Sequence, residues 1–146
     1  MKRVKRDAKE GKSASTQAGE FVREEIEHIR EGKHGARSAK QAVAIGLSKA
    51  RRAGVKLAAP NPAKTSKRIA RKAKQDSAAA SDPHQPATKR SRATRAALKR
   101  ESSSTASPKA LSKQAHGAAS RRTKKERSAS AKKASATRKR RKRGTD

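Results

Sequence analysis

The sequence predicts a mostly disordered chain with a short α-helical hairpin near the N-terminus and only transient helices in the tail. Three observations lead to this fold class: a formal net charge of +30 on 146 residues, a hydrophobic fraction of 30% that is largely Ala, and a single aromatic residue, Phe21. Ordering a chain costs about 1–2 kcal/mol per residue in backbone entropy, which burial of Ala offsets poorly. Low hydrophobicity with high net charge is typical of disorder.

Three segments follow from the distribution of charge and of large apolar residues. We expect a basic disordered N-terminus over residues 1–15, a helical hairpin module over residues 16–54 and a disordered Ala/Ser/Lys/Arg-rich basic tail over residues 55–146. The tail holds 28 Lys and Arg against 5 Asp and Glu, so it carries +23 of the net charge. Pro60 and Pro62 interrupt any helix near the boundary.

The first helix of the hairpin is predicted over residues 17–31. Apolar residues recur there at helical spacing, namely Ala18, Phe21, Val22, Ile26 and Ile29. Thr16 is the expected N-cap and Gly32 the expected stop. Five of the twelve acidic residues lie between Glu20 and Glu31, which makes this helix the acidic part of the chain.

The second helix is signalled by its ends. Ser38 and Gln41 have the spacing of a capping box, in which each side chain bonds the other residue's backbone amide. Gly54 followed by Val55 predicts a Schellman stop, with Val55 folding back onto the helix. The apolar stripe between these ends is expected to be Val43, Leu47 and Ala50.

The tail repeats basic pairs and ends in six consecutive cations, Arg138 to Arg143. Two stretches, residues 64–80 and 87–100, are rich enough in Ala, Lys and Arg to become helical once their charge is neutralised. In free solution, self-repulsion is expected to keep the tail extended.

Residues 38–51 carry a motif with several non-basic positions, Ser-Ala-Lys-Gln-Ala-Val-Ala-Ile-Gly-Leu-Ser-Lys-Ala-Arg. The motif resembles Ser-x-Lys-Gln-Ala-[Ile/Val]-Ala-Ile-[Gly/Ala]-Leu-Ser-x-Ala-Arg, the core of a family of small basic bacterial proteins of unknown function. Members are often labelled DNA-binding or plasmid-stabilisation proteins, so the resemblance implies a bacterial origin more firmly than an activity. Separately, the tail is similar in composition to the C-terminal domains of linker histones and bacterial histone-like proteins.

The charge predicts non-sequence-specific nucleic-acid binding, with duplex DNA as the expected partner and nucleoid or plasmid association in the cytoplasm. Duplex DNA carries one negative charge per about 1.7 Å of axis, and a polycation releases the counterions condensed on it. The predicted binding residues are Lys33, Arg37, Lys40, Arg51 and Arg52 in the hairpin, and Arg121, Arg122, Lys124, Lys125, Arg138, Lys139, Arg140, Arg141, Lys142 and Arg143 in the tail.

The loop between the two helices is a second candidate site. Gly32 and Gly35 form a Gly-x-x-Gly loop, the arrangement with which KH domains clamp a nucleic-acid backbone. The glycines would let backbone amides approach a phosphate. A plain helix-to-helix turn accounts for the same two glycines, and no strands of a KH fold are predicted.

Other function classes are less well supported by the residues. The chain has no Cys, no nucleophile elbow and no Walker motif, so we expect neither an enzyme nor a cofactor. Glu24 and His28 share a helix face near His34, but no further ligand completes a metal site, and none is expected. No apolar run suits a membrane span or a secretory signal.

Two alternatives to DNA binding stay open. The first is an RNA- or ribosome-associated basic protein, because ribosomal RNA is neutralised equally well by a basic tail. The second is a protein-interaction module, in which the acidic stretch from Glu20 to Glu31 docks a partner or a second copy of the chain. In that case the tail only localises the protein.

Overall fold

Helices, rather than disordered segments, make up most of this molecule. The structure is a computed structural model that describes residues 2–61, 63, 65–81 and 87–143. Within these ranges the elements are α1 (Lys2–Lys9), α2 (Ala14–Arg30), α3 (Ala39–Arg52), α4 (Lys67–Ala78), α5 (Thr88–Lys99), a 3₁₀ helix (Ser103–Ala106), α6 (Pro108–Ser120) and α7 (Lys124–Arg143). The prediction of a mostly disordered chain is therefore wrong, and so is the description of the tail as a disordered, histone-like segment.

The chain divides into two compact units, Met1–Ala110 and Leu111–Asp146. The first unit contains α1 to α5, the 3₁₀ helix and the start of α6, and the second contains the rest of α6 and α7. Helices α4 and α5 lie inside the two tail stretches that were expected to be only transiently helical.

The ends of α2 follow simple capping rules, with one difference from the sequence prediction. The N-cap is Ser13 rather than Thr16: the Ser13 hydroxyl accepts a hydrogen bond from the Thr16 backbone amide at 3.3 Å. The predicted stop at Gly32 is confirmed. Gly32 has a φ of +73°, and the amide of Lys33 donates to the His28 carbonyl at 3.0 Å, as in a Schellman motif.

At the ends of α3 the predicted Schellman stop is confirmed, and one of the two hydrogen bonds of the predicted capping box is present. The Val55 amide donates to the Ala50 carbonyl at 3.0 Å, which is the predicted Schellman stop. The Ser38 hydroxyl caps the Gln41 amide at 3.2 Å, as expected. The Gln41 side chain, however, accepts from the Arg37 amide at 2.8 Å instead of from Ser38.

Close packing between α2 and α3 forms the centre of the first unit. The residues that α3 buries are Arg51 and four small residues, Ala39, Ala42, Gly46 and Ala50. At Gly46 a Cβ atom would lie only 2.6 Å from Val22 Cα, so the two backbones nearly touch. The predicted stripe residues Val43 and Leu47 are only half-buried. Helices that approach so closely gain dispersion contacts that Ala and Gly would not otherwise provide.

Two buried clusters draw on segments that were expected to be disordered. The first consists of Ala18, Phe21, Ala50 and Val55, and Val4 of α1 packs against it. The second consists of Ile29, Ala36, Ala42 and Ala106, the last of which comes from the 3₁₀ helix. The Arg30 Nε donates to the Ala106 carbonyl at 2.9 Å, which fastens this distant segment to α2.

The second unit has no buried core where its side chains are described. From Leu111 to Lys139, where its side chains are described, no residue is buried. Its long helix α7 begins with a full capping box: Glu126 Oε2 accepts from the Thr123 amide at 2.8 Å, and Thr123 Oγ1 accepts from the Glu126 amide at 3.2 Å. Among the described helices of the whole chain, none has both the length and the apolar character needed to cross a membrane.

Candidate nucleic-acid interface

The predicted binding residues of the hairpin differ in exposure and in ion pairing. Arg37 and Lys40 are exposed at the start of α3. Arg51 is 9% exposed, with its Nη2 3.5 Å from the Ala58 carbonyl, so it is a packing residue and does not face a polyanion. The ammonium of Lys33 lies 2.7 Å from the carboxylate of Glu31, and this hydrogen bond lowers the pKa of Glu31.

The predicted residues of the second unit lie at the surface where their side chains are described. Arg121, Arg122, Lys124 and Lys125 are exposed at the start of α7. Arg138 and Lys139 are exposed near its end, whereas the side chains of residues 140–143 lie outside the described ones. Helix α7 as a whole carries eleven Lys and Arg against one Glu.

The predicted phosphate loop is closed. The Gly35 amide donates to the Leu98 carbonyl at 2.8 Å, and the amides of Gly32 and Lys33 donate to the last turn of α2. A Cβ at Gly35 would lie 1.9 Å from the carbonyl oxygen of Glu101, so the segment after α5 covers this glycine. This geometry favours the helix-to-helix turn, the other interpretation of the sequence, and phosphate binding by Gly32 and Gly35 stays a prediction.

A different basic site lies in the first unit. An open cavity of about 730 Å³ is bordered by α2, α3, α4, α5 and the turn after α2. Six cations line it: Lys33, Lys49, Arg52, Lys72, Arg90 and Arg95. Glu25 is the one acidic residue among its described lining residues. The cavity therefore concentrates positive potential on a concave surface.

Some of the cations that line the cavity form ion pairs, and these ion pairs also connect the helices that make up its wall. Asp76 of α4 is buried and accepts hydrogen bonds from Ser48 at 2.7 Å, Lys72 at 2.8 Å and Arg52 at 2.9 Å. Burial raises the pKa of Asp76, but the hydrogen bonds outweigh it, so that this pKa lies below its ordinary value. Asp76 thereby joins α4 to α3.

Helix α5 supplies the uncompensated charge. Its sequence has no Asp or Glu, and its five cations, Lys89, Arg90, Arg92, Arg95 and Lys99, are all exposed. In the described parts of the chain none of the five is within ion-pair distance of a carboxylate. Arg90 and Arg95 are five residues apart in α5, and both line the cavity.

A second surface of the first unit carries four carboxylates together with three cations, Arg3, Arg23 and Lys33. Four carboxylates of the α2 region line a shallow cavity of about 430 Å³, namely Glu20, Glu24, Glu27 and Glu31. Arg23 lies between them, 3.2 Å from Glu27 and 3.9 Å from Glu20. This acidic face of α2 is the stretch that sequence analysis singled out for protein docking.

One group of side chains has metal-binding chemistry. Glu25, His28 and His34 each offer one ligand atom, and these three atoms lie within 4.8 Å of one another. The sequence pointed to Glu24 as the carboxylate near His28, but Glu25 is the buried one. Lys49 donates to Glu25 Oε2 at 2.5 Å, so the group lies at the wall of the basic cavity.

Sequence reasoning missed Lys49, Lys72, Arg90 and Arg95 as a group. They come from three helices separated by linkers, and no motif relates them. One available signal was Asp76, the only acidic residue between residues 32 and 81. A lone carboxylate in so basic a stretch indicates an ion-pair centre, and therefore a place where cations converge.

Comparison with family models, with curated proteins and with solved structures finds no match for this chain. The resemblance of residues 38–51 to small basic bacterial proteins therefore stays a prediction.

Proposed function

We propose that this protein binds nucleic acid through the phosphate backbone, with duplex DNA as the preferred form and with little sequence preference. The observation that carries the proposal is α5, whose five exposed cations lack acidic partners among the described residues while two of them, Arg90 and Arg95, face a cavity lined by four further cations. A concave surface lined by six cations and one carboxylate attracts a polyanion and raises its rate of association.

The mechanism is neutralisation of phosphates with release of condensed counterions. Helix α7 has 20 residues, which at 1.5 Å per residue gives a cationic rod of about 30 Å. That length matches about 18 backbone charges of duplex DNA at one charge per about 1.7 Å. A helix this rich in Lys and Arg supplies charge over its whole length and needs no fitted pocket.

The absence of sequence preference follows from what the side chains lack. Recognition of single strands relies on aromatic residues that stack on bases. Phe21 is the only aromatic residue of the chain, and it is 2% exposed in the core of the first unit. Arg and Lys side chains that contact phosphates position a protein on the backbone but do not read bases.

The proposal is tested with two charge-matched double variants of the full chain. Arg90→Gln with Arg95→Gln removes two cavity cations, and Lys5→Gln with Lys9→Gln removes two exposed cations of α1 that form no ion pair with the carboxylates that the structure describes. The first variant should weaken binding to a labelled 30-base-pair duplex about tenfold or more, whereas the second should change it much less. Equal effects of the two variants would contradict a site at the cavity.

Association with the nucleoid or with plasmids is the cellular setting of this proposal, and RNA is its main competitor. The same binding assay with a structured RNA as competitor separates the two. DNA binding predicts that unlabelled duplex displaces the labelled duplex at lower concentration than the RNA does. Displacement by RNA at lower concentration would favour the RNA- or ribosome-associated alternative.

The acidic face of α2 favours a second candidate function, a protein-interaction module. Four carboxylates around one shallow cavity complement a basic segment, and a second copy of this chain carries many such segments. Sedimentation equilibrium at low and high salt would show salt-sensitive self-association if this face is used. A Glu24→Gln, Glu27→Gln variant should then be monomeric at low salt.

A further inference from the structure

We propose that Glu25, His28 and His34 form a binding site for one divalent first-row transition-metal ion, of which Zn²⁺ is the representative. The inference concerns three side chains of the first unit and does not rest on nucleic-acid binding. It also reverses the sequence-based expectation that no metal site exists.

The spacing of the three ligands comes from α2 and the turn that follows it. Glu25 and His28 are three residues apart in α2 and therefore lie on the same face of the helix. The Gly32 stop turns the chain back so that His34 returns to that face, with its Nε2 3.3 Å from Glu25 Oε1. Tetrahedral coordination with bonds of about 2.0–2.1 Å places neighbouring ligand atoms about 3.3–3.4 Å apart.

The Glu25 carboxylate is the independent sign of a missing cation. Glu25 is 1% exposed in the interior of the first unit. Lys49 satisfies Oε2, whereas Oε1 is buried without a hydrogen-bond partner. Leaving a buried, charged oxygen without a donor is costly, and coordination of a metal ion would remove that cost.

His34 is held as metal-binding histidines are held. Its Nδ1 lies 3.0 Å from the Gly35 carbonyl, which can only accept, so that this nitrogen carries the proton. With its proton on Nδ1, the ring presents the Nε2 lone pair to Glu25 Oε1 at 3.3 Å, an arrangement in which a cation held between the two atoms is favourable. Histidine ligands of metals commonly donate their second N–H to a backbone carbonyl in this way.

The ligand set indicates the class of metal. Two imidazoles and one carboxylate suit Zn²⁺ and its neighbours rather than Mg²⁺ or Ca²⁺, which favour oxygen ligands only. Three protein ligands leave a fourth position for water or an anion. Because Glu25, His28 and His34 all line the basic cavity, we expect that fourth position to face it.

The experiment is a titration of the full-length protein, freed of metal by a chelator, with Co²⁺ and then with Zn²⁺. The expected result is one Co²⁺ per chain, with the intense visible absorption of a four-coordinate site, and its loss when Zn²⁺ displaces Co²⁺. His28→Asn and His34→Asn should each weaken Co²⁺ binding at least about tenfold. His116→Asn, an exposed histidine of α6, is the matched control and should leave binding unchanged.

Binding by the unaltered protein decides the matter even if a variant fails to fold. Absence of the absorption band with the unaltered protein would overturn the proposal and would leave a proton shared between Glu25 and His34 as the cation. An equal loss of binding in His116→Asn, or full binding in a folded His28→Asn and a folded His34→Asn, would overturn it as well. Circular dichroism of each variant checks its helical content.

Discussion

The two units of this chain are both helical, but among the residues whose side chains are described only those of the first unit form a core. In the first unit α2 and α3 pack so closely that Gly46 meets the Val22 backbone, and four acidic groups, Asp7, Glu25, Asp76 and Glu31, bind neighbouring lysines. In the second unit no residue from Leu111 to Lys139 is buried. Residues 111–146 carry 14 Lys and Arg against 2 Asp and Glu, a net +12.

This difference teaches that helix formation and core burial are separable in a chain of this composition. Ala, Lys and Arg are strong helix formers, and a capping box starts α7 without any apolar stripe. In the first unit, by contrast, small residues placed at helical spacing allow two helices to approach. The first unit therefore responds to changes of volume, and the second to changes of charge.

The largest expected effect on stability is a contrast between the two units, because the same substitution, Gly to Ala, should destabilise the first unit and stabilise a helix of the second. Gly46→Ala puts a Cβ 2.6 Å from Val22 Cα and should lower the free energy of unfolding by about 1–2 kcal/mol, net of the helix-propensity gain. Gly117→Ala in α6 has no atom within 4 Å of the new Cβ and should raise helix stability by about 0.5–1 kcal/mol. Urea unfolding followed by circular dichroism measures both. A loss of similar size at the two positions would remove the distinction between the units.

The ion-pair centre of the first unit should make its stability depend on pH. Because the pKa of Asp76 is lowered on folding, its contribution is complete above about pH 4 and declines as the pH falls through the lowered pKa. Asp76→Asn should therefore cost about 1–2 kcal/mol at pH 7, and the difference from the unaltered protein should shrink near pH 3.

The control for this prediction is Glu24→Gln, a carboxylate on the surface of α2 without an ion pair among the described residues. It should change stability by less than about 0.5 kcal/mol at either pH. A difference between Asp76→Asn and the unaltered protein that stays constant from pH 7 to pH 3 would show that charge at Asp76 does not stabilise the fold.

The smallest effect on stability is expected in the second unit. Lys132→Gln with Lys133→Gln changes two exposed residues of α7 and should leave urea unfolding of the full chain within about 0.5 kcal/mol. The same variant should make the log–log salt dependence of duplex binding shallower by about 1.8, two phosphate contacts at about 0.9 each. If stability falls while the salt dependence stays the same, these lysines have a packing role.

Features that depend on local residue spacing could be predicted from the sequence, whereas features that depend on contacts between distant residues could not. The two hairpin helices, the Gly32 and Gly54 stops and the Ser38 cap rest on local spacing, which a sequence displays directly. The order of residues 55–110 was missed because their core contacts use small residues such as Ala73 and Ala106. The helices of the second unit were missed because Ala, Lys and Arg form helices without a buried core. The basic cavity was missed because it joins residues 33 to 95, and long-range contacts leave no local pattern.

At Glu25 the sequence shows the position of the residue on its helix but not the side chains that it contacts. Its place between Phe21 and Ile29 on the buried face of α2 was visible from helical spacing, and an acidic residue there is a sign of a specific partner. Which partner it has depends on the Lys49 and His34 side chains, which only the fold brings together.

The salt dependence of duplex-DNA binding by the full chain tests the central claim most directly. Each phosphate neutralised contributes about −0.9 to the slope of log affinity against log salt concentration, so binding that engages the five cations of α5 should give a slope steeper than about −3. The Arg90→Gln, Arg95→Gln variant should make that slope shallower by about 1.8. A slope shallower than −3 for the unaltered protein, or one that the variant leaves unchanged, would contradict backbone binding at this surface.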